Sequence, residues 1–368
     1  MIDWWELPGP RSFVEKTATE LADGRSVVLH LPGRMPSGFE SSMSACIRDE
    51  FGERPSRLDA GDLSQSPGGL LLDHLDIQGV VPTPHAIACQ RFQSDRVVWL
   101  RNLDAVSWRE LWHDFVYGYM DTVRNAGLDN RVLLLAPISD WPDGHPAKPD
   151  VGVAVCPWKG LVGGDDIRFF AGSRLRGQRL GHLARALKQQ VIVELAGPDE
   201  RLAADLAELP LPELLAPMGW LREWAAAVGL QAGTGPGHWH DGTLIEFEGA
   251  QWSHTGLLAL QGEDRLVERR LWNAQVAVLF PWLERRRQEL LATLERSGAL
   301  TLPYTRSAGV VIDDKYDLEF SDLRRLANRA RLGRDLLRTL QVLTEIRNAL
   351  AHLEAAPSSL LERAGLAL

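Results

Sequence analysis

The fold is decided by one stretch near the N-terminus, Ser26-Val27-Val28-Leu29-His30-Leu31, which ends in the turn Pro32-Gly33-Arg34-Met35-Pro36-Ser37-Gly38. A short, almost continuous apolar run bounded by Gly and Pro predicts a strand buried on both faces. A helical pattern follows the turn as far as about residue 50. A buried strand, a glycine-containing loop and a helix together predict the first unit of an α/β domain.

The same alternation continues on both sides of this stretch. Residues 12–23 have a helical pattern, and two further apolar runs cover residues 96–100 and 132–136, with a long helical pattern at about 107–127 between them. Strands that alternate with helices of this length predict a mostly parallel sheet. We therefore expect an α/β domain over residues 1–160.

The order of these features resembles the P-loop nucleotide-binding superfamily. A working phosphate loop of that superfamily reads GxxxxGK(S/T): backbone N–H groups hold the phosphates, Lys reaches their oxygens and the hydroxyl holds Mg²⁺. Gly33 and Gly38 have the required separation, but Phe39 and Glu40 stand where Lys and Ser/Thr should be. The resemblance therefore implies a degenerate P-loop-like domain.

Two consequences follow for nucleotide chemistry. The chain contains no GK(S/T) anywhere and Glu40 would repel a phosphate, so we expect Mg-ATP to bind weakly or not at all and predict no cofactor. Asp104, after the second apolar run, could hold Mg²⁺, but without the Lys a helix-capping role is favoured. An unrelated α/β domain with a polar turn remains the alternative.

The middle of the chain predicts a helical linker region over residues 161–245. Residues 166–228 show apolar positions at helical spacing, and an apolar run at 243–247 predicts a strand. Just before that strand, His238, His240 and Asp241 offer possible metal ligands, with His254 the nearest third histidine. A turn explains these residues equally well, and we predict no metal site.

The C-terminal third, residues 246–368, predicts a helical bundle. One long helix is expected over about 264–295, and a second helical segment over 321–355, with a possible break near Gly333. The second segment is locally basic, because its arginines outnumber its acidic residues: Arg324, Arg325, Arg329, Arg331, Arg334 and Arg338.

This segment contains the run Glu345-Ile346-Arg347-Asn348-Ala349-Leu350-Ala351-His352. The run resembles the signature of the HEPN superfamily, an Arg and a His separated by four to six intervening residues, with a polar residue, often Asn, directly after the Arg. The resemblance covers about residues 264–356. It implies a helical bundle that pairs two copies and cuts RNA without metal, with Arg347 and His352 catalytic and Asn348 orienting them.

These residue types suit that chemistry. His moves protons near neutral pH, and the planar fork of Arg stabilises a developing phosphorane charge. Arg347 and His352 lie five residues apart, about 140° around a helix, so they converge only around a cleft, at a helix irregularity or across a dimer interface. The bare Arg-to-His spacing also occurs at Arg25…His30 and Arg176…His182, outside any helical-bundle context.

Composition bounds the remaining expectations. A net charge of −9 argues against a general polyanion binder, and three scattered cysteines favour a reducing compartment, so we expect a cytoplasmic protein with no membrane partner.

The first functional hypothesis is a metal-independent endoribonuclease effector of a bacterial defence or toxin system. Its partners would be RNA and a second copy, joined through the C-terminal helical domain, or a partner protein of that system. The alternative is a non-enzymatic scaffold or regulatory subunit in which both motifs are vestigial.

Overall fold

The structure, a computed structural model, describes residues 2–61, 64–127, 131–139, 147–231, 238–239, 241–306 and 309–366. Contacts divide the chain into two compact units, neither of which is continuous in sequence. The sheet unit comprises residues 1–166 and 233–254, and the helical unit comprises residues 167–232 and 255–368.

The sheet unit is built on five parallel strands in the order β2-β3-β4-β1-β5: β1 (Ser26–His30), β2 (Ser56–Asp59), β3 (Arg96–Arg101), β4 (Val132–Ile138) and β5 (Val153–Pro157). In the middle of the sheet Val28 lies opposite Ala136 on one side and Val155 on the other. The central strands are apolar and almost completely buried, as a parallel sheet covered on both faces requires. The predicted α/β fold class, with a parallel sheet followed by helices, is confirmed.

Helices precede and connect these strands: α1 (Pro8–Ala22) precedes β1, and the connecting helices are α2 (Phe39–Phe51), α3 (Pro67–His74), α4 (Pro84–Ala88), α5 (Ala105–Ser107) and α6 (His113–Asn125). A π-helical segment, Trp108–Trp112, joins α5 to α6. The apolar face of α6 buries Phe115, Val116 and Tyr119. The unit also contains an antiparallel hairpin, β6 (Leu244–Phe247) and β7 (Ala250–Ser253).

The helical unit contains α7 (Gly164–Arg174, whose first residues belong to the sheet unit), α8 (His182–Ala196), α9 (Glu200–Glu208), α10 (Leu211–Leu214), α11 (Met218–Ala227), α12 (Thr255–Gln261), α13 (Asp264–Arg296), α14 (Phe320–Arg329), α15 (Arg334–Ala351) and α16 (Ser358–Arg363). A small hairpin, β8 (Tyr304–Thr305) and β9 (Val311–Ile312), precedes α14. The 33-residue α13 packs against α8, α14 and α15. The expected break near Gly333 separates α14 from α15.

The two units have boundaries other than those of the three predicted domains. Helix α8 falls in the predicted linker region, yet it packs on α13, so both helices belong to the same unit. The hairpin β6–β7 lies at the start of the predicted C-terminal domain, yet it belongs to the sheet unit. Among the described helices, none is long and apolar enough to cross a membrane.

Candidate functional site

The HEPN-like motif lies at the C-terminal end of α15. Arg347 and Asn348 belong to the last two turns of the helix, and His352 is the residue that ends it. The backbone N–H of His352 donates to the carbonyl oxygens of Asn348 and Ala349, at 3.0 and 3.1 Å. The helix is therefore regular up to the histidine, and the three motif residues occupy the positions that the sequence predicts.

The end of α15 is anchored to α13. Ile346 and Leu350 are buried, and Trp272 of α13 donates its indole N–H to the carbonyl oxygen of Leu350 at 2.7 Å. The buried amide of Gln275 exchanges two hydrogen bonds with the backbone of Ala356, of 2.6 and 3.0 Å. Buried polar groups whose hydrogen bonds are all made favour a single geometry. These bonds therefore fix the backbone at Leu350 and Ala356, on either side of His352.

Arg347 is half-exposed and pairs with an acidic residue at the start of α14. Its Nη2 atom lies 3.5 Å from Oε1 of Glu319, and its side chain is 41% exposed. Nη1 also makes a long contact of 3.5 Å with Oδ1 of Asn348. Glu319 has a second role, because its carboxylate caps the first turn of α14. Arg347 and Asn348 therefore lie together, beside an acidic helix cap.

His352 is exposed, as is Asn348. Within the part of the chain that the structure describes, no hydrogen bond orients the His352 imidazole, and none links it to Arg347. Within one chain, Arg347 and Asn348 therefore lie together, and His352 lies apart from them. A reactive arrangement would need a second surface that brings a His towards an Arg.

The hairpin of α14 and α15 is rich in exposed arginines. In the described ranges, no ion pair is found for five of them: Arg324, Arg325, Arg331, Arg334 and Arg338. Arg329 lies over the ring of Tyr304, with Cζ 5.8 Å from the ring centroid. The local excess of positive charge that the sequence predicts is therefore exposed to solvent in an otherwise acidic chain.

The loop after β1, which resembles a degenerate phosphate loop in sequence, has a different electrostatic arrangement. Gly38 begins α2 in the left-handed conformation, with φ of 79°. Glu40, in the first turn of α2, lies between Arg57 and Arg101, at 3.2 and 3.6 Å. A carboxylate already held by two arginines therefore occupies the place where the superfamily needs the Ser/Thr hydroxyl, and Phe39 occupies the place of the lysine. The loop lacks the groups that would reach the β- and γ-phosphates of ATP.

The carboxyl end of β1 is covered by the chain itself. In open parallel sheets, ligands bind outside the carboxyl ends of the strands where the strand order reverses. Here the ring of Trp239 lies 5.5 Å from the ring of His30, the last residue of β1. The backbone at Gly242 approaches Arg34 so closely that an added Cβ would lie 3.3 Å from Arg34 Cβ. Part of the usual nucleotide crevice is therefore filled.

Two further candidates take structural roles. The carboxylate of Asp104 accepts from the backbone N–H of Ser107 at 2.6 Å and caps α5. The Ser107 side chain, followed by this backbone N–H, holds the pKa of Asp104 below its usual range. The favoured capping role of Asp104 is confirmed. Asp241 accepts from Thr243 within a turn, and His254 is buried. His240 lies outside the described residues, and the described ones contain no cluster of three or more metal-binding side chains.

Comparison with known proteins identifies no family for this chain. No family model matches the chain, and no curated protein matches its sequence.

Proposed function

We propose that the chain is a metal-independent endoribonuclease whose active site uses Arg347 and His352, with Asn348 positioning the arginine. The observation that carries the proposal is the exposure of all three side chains on a helix end that is otherwise firmly anchored. Polar side chains with only a structural role at a helix end usually bond to nearby backbone. Here the His352 ring has no such bond among the described residues.

The chemistry follows from the residue types. In this mechanism His352 takes the proton of an RNA 2′-OH, and the oxygen attacks the adjacent phosphorus. The phosphorus–O5′ bond breaks, the proton on His352 passes to the leaving O5′ oxygen, and a 2′,3′-cyclic phosphate remains. Arg347 stabilises the extra negative charge of the pentacoordinate phosphorus. DNA is spared because it has no 2′-OH.

A second copy of the chain completes the proposed site. Arg347 and His352 do not meet within one chain, so a symmetric pair of helical units must bring the Arg of one copy towards the His of the other. One reason that the sequence gives for such a dimer is weaker in the structure. In the sequence, self-association is favoured by an apolar stripe of α13 that consists of Leu271, Val278, Leu279 and Trp282. Leu271 and Leu279 are buried within the chain, and Val278 and Trp282 are half-buried. The requirement for a composite site is the remaining support.

RNA is the partner that fits the surface charge. The exposed arginines of α14 and α15 offer contacts to phosphates on the same hairpin that ends in the motif. We place the protein in the cytoplasm, in a bacterial defence or toxin system, with the sheet unit as the part that responds to a signal. The cytoplasmic placement rests on the three scattered cysteines, and the defence or toxin setting rests on the HEPN resemblance.

A non-enzymatic scaffold or regulatory subunit is the second candidate, and one contact favours it. Glu319 holds Arg347 at 3.5 Å, which reduces the positive charge that the arginine can offer to a phosphate. The ion pairs of Glu40 with Arg57 and Arg101 also favour the scaffold, because they argue against nucleotide binding at the loop after β1.

The deciding experiment is an RNA cleavage assay in EDTA with wild type, His352→Ala and Arg347→Ala. Each substitution should lower the rate by ~10²–10⁴-fold, because one removes the proton-transfer group and the other the transition-state charge partner. His182→Ala is the matched control, since His182 ends another Arg-to-His run of similar spacing. It should keep the wild-type rate.

The state of association is measured in the same samples. Light scattering should give a dimer, twice the 40.9 kDa of one chain. Cleavage that EDTA abolishes, or a His352→Ala variant as active as wild type, contradicts the mechanism. A monomer that cleaves RNA contradicts the composite site but not the catalytic residues. Absence of cleavage in every sample favours the scaffold.

A further inference from the structure

The sheet unit contains a cavity of about 770 Å³ that neither proposed function uses. It lies between one side of α2 and the segment that leads into β2. Small-molecule sites have volumes of roughly 300–1,000 Å³. Its polar lining consists of Glu40, Ser41, Ser44, Arg48, Arg54 and Arg57, and we call it the arginine pocket.

The arginine pocket is positively charged inside an acidic protein. Three arginines and one carboxylate line it. Arg57 pairs with Glu40 at 3.2 Å, and Arg48 pairs with its exposed neighbour Asp49 at 2.9 Å. Arg54 makes no ion pair within the described chain. One guanidinium is therefore uncommitted, and the other two hold exposed partners whose ion pairs contribute little to stability.

Ser44 supplies an independent sign of a ligand. Its side chain is only 9% exposed, lines the pocket, and carries a buried hydroxyl without a hydrogen-bond partner. Buried hydroxyls are nearly always paired, so an unpaired one in a native protein requires an explanation. Ser41, Ser44 and Arg48 are spaced three and four residues apart and share one face of α2. The unpaired Ser44 hydroxyl therefore belongs to the helix face that also carries Arg48.

The rest of the lining is apolar. Met35, Pro36 and Pro55 contribute to the wall of the pocket, as does Phe39. Phe39 itself is fixed by ring contacts with Trp5 and Trp99, at centroid distances of 5.6 and 5.7 Å. Apolar walls beside a few convergent polar groups are typical of sites for small organic ligands.

We propose that the arginine pocket binds a small phosphate monoester whose phosphate is joined to a sugar or a heterocyclic ring. Arg54 and Arg57 donate to the phosphate oxygens, with Arg48 opposite and the Ser44 hydroxyl donating the remaining bond. The ring lies against Met35, Pro36 and Pro55. The site needs neither the missing loop lysine nor Mg²⁺. It is therefore compatible with weak binding of Mg-ATP, in which the metal neutralises the phosphates.

Calorimetry of the full chain without Mg²⁺ tests the proposal, with AMP, ribose 5-phosphate and adenosine as probes. The two phosphate monoesters should bind, and adenosine should not bind measurably. Arg54→Gln should weaken AMP binding at least tenfold, because a charge-assisted hydrogen bond is lost. Ser44→Ala should weaken it about tenfold without lowering the thermal midpoint, since the hydroxyl has no partner in the free protein.

Arg91→Gln, at an exposed position elsewhere in the sheet unit, is the matched control and should bind AMP like wild type. Three results overturn the proposal. They are equal binding of adenosine and AMP, wild-type affinity in both Arg54→Gln and Ser44→Ala, and no binding of either phosphate monoester at millimolar concentration. The outcome is independent of RNA cleavage, because the pocket and the HEPN-like motif share no residue.

Discussion

At the scale of single residues, the surroundings decide what an ion pair contributes to stability. Glu40 is 46% exposed beside Arg57, and a pair so open to water contributes about 0–1 kcal/mol. Asp322 is 1% exposed beside Arg306, whose side chain is 30% exposed. The carboxylate of Asp322 also accepts from the backbone N–H of Glu319 at 3.0 Å. Asp322 is thus a structural residue of the β8–β9 and α14 region.

Asp322→Asn should therefore destabilise the helical unit. The neutral amide loses the charged pair with Arg306, and its NH₂ group cannot accept both bonds that the carboxylate accepts. Breaking a fully buried pair costs about 3–5 kcal/mol, and we expect about 2–3 kcal/mol here because Arg306 is partly solvated. Urea unfolding measures the change, with exposed Asp313→Asn as the control. A loss no larger than that of the control would show that the pair is energetically neutral.

His30 predicts a pH dependence of stability. Burial, followed by the positive charge of Lys159, holds the pKa of His30 below its usual value. The folded protein therefore binds fewer protons at this site than the unfolded chain, so stability falls as the pH drops through about 6.5. His30→Gln should lose less unfolding free energy than wild type between pH 7.5 and 5.5. Exposed His85→Gln is the control, and equal losses in wild type and His30→Gln would contradict the assignment.

The sequence predicts some of these residue roles and not others. The capping role of Asp104 follows from neighbours three residues away, which a sequence displays directly. The pairing of Arg347 with Glu319 depends on how α15 packs beside α14, so no local pattern reveals it. Ser44 shows the same limit: its isolation is a property of the folded pocket, and the sequence shows only a serine in a helix.

At the scale of elements, apolar pattern predicts the long and buried ones. The strands β1, β3 and β4 and the helix α13 have the expected positions within a few residues, because their burial imposes a strong periodicity. The apolar pattern does not predict β2. It lies at the edge of the sheet, and of Ser56-Arg57-Leu58-Asp59 only Leu58 is buried. The two-residue strands β8 and β9 are too short to show a period.

The helix expected at about 107–127 is divided rather than uniform. Its first part is the three-residue α5 and the π-helical segment Trp108–Trp112, and only then does α6 begin. Trp108 and Trp112 are both buried, and the indole N–H of Trp112 donates to the carbonyl oxygen of Ala60 at 3.1 Å. The wider turn allows both large rings to be buried, a tertiary requirement that overrides local pattern.

Close packing of α1 gives a prediction for one glycine. An added Cβ at Gly9 would lie 2.2 Å from the carbonyl oxygen of Leu161 and 2.7 Å from the Asp166 carboxylate. Gly9→Ala must therefore shift α1 and should destabilise the sheet unit by about 1–3 kcal/mol. Gly118→Ala, in α6, is the contrasting variant, because its nearest contact is Pro84 at 3.8 Å. It should stabilise by about 0.5–1 kcal/mol, since Ala restricts the unfolded chain.

Urea unfolding of both glycine variants separates close packing from a general effect of losing glycine. If Gly9→Ala is neutral or stabilising, α1 is not held against the Leu161 backbone as the structure shows. A destabilised Gly118→Ala would instead point to an unexpected constraint on α6.

At the scale of the whole molecule, sequence reading is limited by connectivity. The sequence predicts domains as continuous segments, whereas each unit joins two separate stretches of the chain. The helical content of residues 166–228 is visible in the sequence, but their packing partner is not. The partner of α8 is α13, which begins some distance later in the chain. Contacts between distant segments depend on how the shapes of the two buried surfaces fit together. Apolar periodicity shows which face of a helix is buried, but not which helix packs against it.

This connectivity gives a prediction about which polypeptide folds alone. A polypeptide of residues 246–368, the predicted HEPN-like domain, lacks α8. Because α8 packs on α13, part of the buried surface of α13 would then be open to water. The apolar residues that α13 buries include Leu271, Leu279 and Leu283. Exposure of a buried leucine costs about 1.5–3 kcal/mol, and whole domains are stable by only about 5–15 kcal/mol. We therefore expect this polypeptide to keep helical far-ultraviolet circular dichroism while losing near-ultraviolet signals and cooperative urea unfolding. The matched polypeptide, residues 167–368, restores α8 and should unfold cooperatively. Cooperative unfolding of residues 246–368 alone would show that α8 is dispensable and that the continuous domain predicted from the sequence is the physical one.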